Sequence, residues 1–193
     1  MSWKALLHVS AAVLWLVAVG VGLARLWDYS LSPGAPGDAP LRWPASSRIE
    51  RVPGQFTVVV AVHPHCPCSR ATIGELSRLM TWKQGRVAAL VLFVRPAGFT
   101  DDWVESDLWR SAAAIPGVTP IRDDEGVEAR RFGAVTSGQT MVYDAEGRLV
   151  FSGGVTGARG HYGDNRGLAA ALAALNGEEP GPRESPVFGC ALR

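Results

Sequence analysis

The chain has 193 residues, enough for one globular domain plus an extra segment and no reason to invoke two cores. Its 19 Lys and Arg against 18 Asp and Glu leave a net charge of +1, which gives no footprint for a nucleic-acid partner.

The first feature along the chain is apolar. Residues 5–26 are broken only by His8, Ser10 and Arg25, and Trp3 and Trp27 flank them as interfacial anchors do. A cleaved signal peptide also starts with a short charged segment, here Lys4. This run is longer than a usual signal core, however, and no strong small-x-small site comes before its Arg25-Leu26-Trp27 end, so residues 1–27 read as an uncleaved transmembrane anchor. The positive-inside rule alone does not favour export, because Arg25, Arg42, Arg48 and Arg51 follow the span while only Lys4 precedes it. The expected site, a bacterial inner membrane with the domain facing the periplasm or cell exterior, rests on the cysteine chemistry below. Residues 28–53, with the stretch LSPGAPGDAP, show neither helical nor strand periodicity and read as a Pro/Gly-rich tether.

From residue 54 to 178 the pattern is regular. FTVVVAV, residues 56–62, is a β-branched run suited to a strand buried on both faces. Residues 71–82 carry Ile73, Leu76, Leu79 and Met80 at helical spacing, and residues 87–94 form a second buried strand, so the unit is a parallel βαβ crossover. Residues 101–115 read as one helix opened by Thr100, Asp101 and Asp102. A short strand near 119–122, a small helix near 127–132 and a hairpin of strands 140–143 and 148–152 follow. Residues 167–175 form the last helix, with Asp164 or Asn165 as its cap and Asn176-Gly177 as its stop. The tail, 179–193, carries Pro180, Pro182, Pro186 and the third cysteine, Cys190.

The chemistry sits in HPHCPCSR, residues 63–70, between the first core strand and the first helix. A thiol at a helix N-terminus meets unpaired backbone N–H groups and the positive end of the macrodipole, so Cys66 is the expected nucleophile. His63 and His65 can add positive charge or hold a proton for a leaving thiol; the plainer alternatives are an exposed strand end and a space-filling ring. Cys68, separated from Cys66 by Pro67 alone, closes only a small strained ring with it, a poor staple but an easily reduced bridge. Cys190 competes for either thiol. A final helix of about 12 residues travels roughly 18 Å, and the tail reaches further at about 3.3 Å per residue. The loop 153–167, GGVTGARGHYGDNRG, holds His161, Tyr162, Arg159 and Arg166, and is expected near the cysteine end in a pocket or docking role.

This order, with a cysteine motif at the end of the first core strand, resembles the membrane-tethered thioredoxin-like proteins of the TlpA and ResA type over residues 45–178. HPHCPCSRAT, ARRFGAVTSGQT, YDAEGRLVFSGGVT, ARGHYGDN and PVFGC are similar to the RedB-like group. The resemblance implies an α/β thioredoxin-like fold, a mixed central sheet flanked by helices. It also implies thiol–disulfide exchange without a cofactor, on protein or small thiol substrates, with a redox partner protein. In the family's register Cys66 is the nucleophile, His65 replaces a tryptophan, Pro67 keeps its place and Ser69 stands where the resolving cysteine would be. Gly138 takes the position of the proline, usually cis, before the fourth strand. Cys66, Cys68 and Cys190 are then the catalytic candidates, and His65, Pro67, Ser137, Gly138, Gln139 and His161 are the candidates to meet substrate, with the backbone of 137–139 pairing with an incoming chain.

Two other chemistries compete. His63, His65, Cys66, Cys68 and Cys190 are ligands that suit Cu(I) or Zn(II), although no second Cys-x-x-Cys or distant His pair completes a set. A peroxidase working through Cys66 alone would call for a Pro-x-x-x-Thr-x-x-Cys pattern that the chain lacks.

Overall fold

The computed structural model describes residues 2–178 and 184–192 and divides into two units, residues 1–32 and 33–193. The first is a single helix, α1 (Trp3–Leu31), capped by the Ser2 hydroxyl and burying none of its residues. At about 1.5 Å per residue its 29 residues extend about 43 Å, so by length and composition it is long and apolar enough to cross a membrane. It runs five residues past the expected end at 26, taking residues 28–31 from the supposed tether.

The second unit is built on a six-stranded sheet. Its strands are β1 (Phe56–Val62), β2 (Val87–Arg95), β3 (Val118–Asp124), β4 (Gln139–Tyr143), β5 (Leu149–Gly153) and β6 (Glu184–Ser185), in the order β3-β2-β1-β4-β5-β6. β1 is parallel to β2 and antiparallel to β4, so the hairpin partner returns toward the end where β1 delivers the cysteines. The helices are α2 (Pro67–Trp82), α3 (Asp101–Val104), α4 (Asp107–Ala113), α5 (Val127–Arg131) and α6 (Arg166–Leu175). This is the thioredoxin-like arrangement expected from the element order.

Strand alternation explains the two cores. Val58, Val60 and Val62 face one layer with Ile73, Leu76 and Leu79 of α2, Leu108 of α4 and Leu168 of α6. Val59 and Ala61 face the other, with Leu92, Phe132, Met141 and Tyr143. Among the described residues only the short α5 covers this second face as a helix, and here the tether reading fails. Residues 33–53 lie along the domain: Trp43 packs edge-on to Phe132 and Tyr143 at 4.9 and 5.2 Å, Tyr143 Oη donates to the Pro40 carbonyl, and the Leu41 carbonyl accepts from Leu149 N. The segment has no periodicity because it is a strap, which fills the face with single side chains and holds itself by isolated backbone bonds.

Three further differences concern the site. α2 begins at Pro67 rather than 71, since proline at the first helical position carries its φ ready-made and lacks only an N–H that would go unpaired. The helix expected over 101–115 is broken at Glu105-Ser106, where Ser106 caps α4 through Trp109 N and donates its hydroxyl to the Pro64 carbonyl at 3.3 Å. The break lets one side chain end a helix and hold the histidine loop. Finally, the tail contributes β6, parallel to β5. Pro180 and Pro182 of the tail lie outside the described residues.

Candidate active site

Cys66 is the N-cap of α2, in extended conformation, with its own N–H on the His63 carbonyl at 3.1 Å and its carbonyl accepting from Ser69 N at 3.0 Å. Its side chain makes no cap bond, and the residue is buried at the helix start. There it meets the tail. The Cys66 and Cys190 sulfurs are 2.9 Å apart, 124 residues apart in sequence, and all three cysteines are free thiols.

The tail is docked as an added antiparallel segment. Ser137 N donates to the Cys190 carbonyl at 2.7 Å, Thr136 and Ala191 form a bridge, and Leu192 N donates to the Val135 carbonyl at 2.9 Å. Gly189 is required by this approach, because a Cβ there would overlap the Ser137 carbonyl oxygen. Upstream, Val187 is buried and its carbonyl accepts from Gly34 N of the strap. The backbone edge expected to pair with an incoming chain is thus occupied by the protein's own terminus.

Charge at the sulfurs is divided unequally. Burial raises the Cys66 thiol, but hydrogen bonds from the Cys190 thiol and backbone and from Ser69 outweigh it, and the net shift is downward from the ordinary thiol range. Burial, together with the Cys66 sulfur beside it, pushes Cys190 up to about 12. Cys68, buried within the first turn of α2, is raised by burial and by Cys66, with Arg159 opposing. The arrangement sets one thiol shifted toward its thiolate beside two shifted toward their protonated forms.

Ser69, in the expected resolving position, has a structural use: its hydroxyl lies 2.6 Å from that of Ser137, which accepts from His63 N at 2.8 Å. Gly138 occupies the proline position with φ +94°, and its N donates to the Ala61 carbonyl. A Cβ would stand 2.8 Å from Thr72 Oγ1. Gly138→Ala is therefore expected to cost about 1–3 kcal/mol, the toll of a non-glycine residue in a left-handed conformation, read as a lower melting temperature with the fold retained.

The remaining candidates are spread more widely than expected. His65 is exposed, packs on Trp103 with the rings tilted at 53° and 4.7 Å apart, and bonds the Trp103 carbonyl through Nε2 at 2.8 Å. His63 is half-buried, accepts from His65 N through Nδ1, and is pushed down from its usual range by burial and then by His65, which favours the neutral ring. Pro67 is exposed at the start of α2. Gln139 differs from expectation: it is buried, and its amide oxygen accepts from Val135 N within the turn, so it supports the edge instead of presenting itself to substrate. His161 is exposed and bonds the Arg159 carbonyl, shaping its own loop. Among the described residues no group of three or more His, Cys, Asp or Glu is placed to hold a metal ion, so the five ligands of the metal alternative are not assembled as a centre. One contributor lies outside the motif reading: Trp103, under both histidines, is hidden in an ordinary helical pattern. Arg159, named with its loop, has a specific use, its guanidinium donating to the Gly189 carbonyl at 2.6 Å.

No family model matches the chain, and no curated protein does. Solved structures do. A hypothetical protein from Sinorhizobium meliloti 1021 is 22% identical with a TM-score of 0.58, over 84% of this chain and 94% of that one. An uncharacterized conserved protein from Geobacillus kaustophilus is 19% identical with a TM-score of 0.58, over 84% and 92%. A secreted Mycobacterium tuberculosis disulfide oxidoreductase homologous to E. coli DsbE is 15% identical with a TM-score of 0.45, over 65% and 83%. Likeness at these identities is one of fold, and the fold is thioredoxin-like.

Proposed function

We propose that the protein is a membrane-anchored thiol–disulfide oxidoreductase working outside the cytoplasm, with Cys66 as nucleophile and Cys190 as resolving thiol. The observation that carries this reading is the 2.9 Å approach of the two sulfurs at the start of α2, with Cys66 lowered and Cys190 raised. The Cys66 thiolate attacks one sulfur of a substrate disulfide, forming a mixed disulfide and expelling the other substrate sulfur as a thiolate. Cys190 then gives up its proton and attacks Cys66 Sγ. The bond to substrate breaks, the second substrate thiol leaves with that proton, and a Cys66–Cys190 disulfide remains. Two electrons pass from the protein to the substrate, and a redox partner restores the thiols. Cys68 takes no part in this cycle.

The protonation order gives a direct test. In the reduced full-length protein, alkylation of Cys66 is expected to reach half its maximal rate below the ordinary thiol value of about 8.5, whereas Cys190 stays unreactive until strongly alkaline pH. Mass spectrometry of the labelled peptides over a pH series reads both. A Cys66 midpoint at or above the ordinary value contradicts the assignment.

For location, the proposal places α1 in the membrane and residues from 33 onward outside. A reporter active only after export, fused after Arg193, is expected to be active, and a cytoplasm-only reporter silent. The reverse pattern contradicts the topology and, with it, the oxidising compartment.

A further inference from the structure

The tail is held at the sulfurs by its backbone ladder and by the Arg159 side chain. Arg159 sits on a tight turn: Ala158 and His161 form a bridge, Gly160 takes φ +71°, and the His161 ring is bonded to the Arg159 carbonyl. The rest of the loop is fixed as well. The buried Glu75 carboxylate accepts from Gly163 N, and Asn165 Nδ2 donates to the Val155 and Gly163 carbonyls at 2.9 and 2.8 Å. From this base Nη1 reaches the Gly189 carbonyl at 2.6 Å, the oxygen of the peptide unit that leads into Cys190.

Its charge also bears on the sulfurs. Among the described residues, the titrating or charged groups that shift Cys190 most are Cys66 and Cys68 from the start of α2 and Arg159 from this loop. Residues 135–138, against which the tail pairs, are Val, Thr, Ser and Gly, and the tail neighbours Gly189 and Ala191 are uncharged. Arg159 is thus the cation among these groups, and it opposes the upward push that burial and Cys66 exert on Cys190. Cys66 has its own support, from Cys190 and Ser69.

We propose that Arg159 is a positioning residue for the second step of exchange: it holds the Gly189–Cys190 peptide against the site and sets a fixed positive charge where the Cys190 sulfur becomes negative. The inference rests on the oxidoreductase reading. In that step Cys190 loses its proton, its sulfur bonds Cys66 Sγ, the Cys66–substrate bond breaks, and the departing substrate thiolate takes up a proton. Charge develops on Cys190 before it is handed on, so a cation there serves this step and not the first.

The test uses full-length reduced protein in detergent and a symmetrical aromatic disulfide whose thiol absorbs light. Attack by Cys66 releases one aromatic thiol, and attack by Cys190 releases the second, so the two steps are two phases of one trace. Arg159→Gln is expected to leave the first phase within about twofold and to slow the second about tenfold, the loss of one charge-assisted hydrogen bond. The pH midpoint of the second phase is expected to move upward, and Arg159→Lys to recover most of its rate. Equal slowing of both phases, slowing of the second by the same factor at every pH, or a lysine variant no better than glutamine overturns the inference. Wild-type protein with no first phase overturns the oxidoreductase reading itself, whereas a normal first phase with an unaffected second phase in Arg159→Gln removes only the role of Arg159.

Discussion

Cys66→Ser is expected to abolish mixed-disulfide formation, a loss on the order of a thousandfold or more, because the thiolate is the nucleophile in exchange and a serine hydroxyl stays protonated at neutral pH. The prediction follows from position. Cys66 alone of the three caps a helix, and it has both the Cys190 sulfur and Ser69 beside it. Cys68 lies one residue into the same helix but is raised by burial and by Cys66, so it has no comparable thiolate to offer. The substitution changes one atom at a site already polar on one side, so the fold should survive, as an unchanged melting temperature would show. The check is incubation of the variant with a disulfide-bonded peptide and mass spectrometry of the quenched products. Persistent exchange through Cys68 would show that the nucleophile has been placed one turn position too early.

Cys190→Ser is expected to do the opposite, leaving the first attack intact and trapping the product. With the resolving sulfur gone, the mixed disulfide at Cys66 waits for an external thiol, and its lifetime should lengthen on the order of a hundredfold or more, since an oriented intramolecular attack has been replaced by a bimolecular one. Cys68→Ser should not trap it, because the Cys66–Cys68 ring is strained by Pro67 and competes poorly with a tail already 2.9 Å away. Time-resolved trapping with the same peptide compares the two variants directly. Rapid release in Cys190→Ser together with trapping in Cys68→Ser would return the resolving role to the Cys-Pro-Cys pair.

Much of the fold was legible because its information is periodic. β1 is a largely β-branched run and β2 a continuous apolar one, and the spacing of Ile73, Leu76, Leu79 and Met80 gave α2 its buried face. The break at Ser106 was not legible, since Trp103, Val104, Leu108 and Trp109 continue a helical pattern across it. What ends the helix is a single hydroxyl whose partner, Pro64, lies 42 residues away. The strap failed for a related reason: Trp43 fills the second face as one side chain, and one side chain has no period. At the site, chain length and the length of the final helix were enough to bring Cys190 back, and the strand-to-helix order was enough to put Cys66 at the start of α2. Gln139 and His161 went elsewhere because their partners, Val135 N and the Arg159 carbonyl, are local loop groups that only the folded backbone presents. Arg159 was visible as one polar residue among several, but its use depends on the Gly189 carbonyl thirty residues on.

The central claim is the pairing of Cys66 with Cys190, and peptide mapping of the oxidised full-length protein after alkylation without reduction tests it most directly. A peptide containing Cys66 and Cys68 cross-linked to the PVFGCAL segment, shown by fragmentation to be joined through Cys66 with Cys68 alkylated, is the predicted result. A bridge confined to Cys66 and Cys68, with Cys190 alkylated in both redox states, would contradict it.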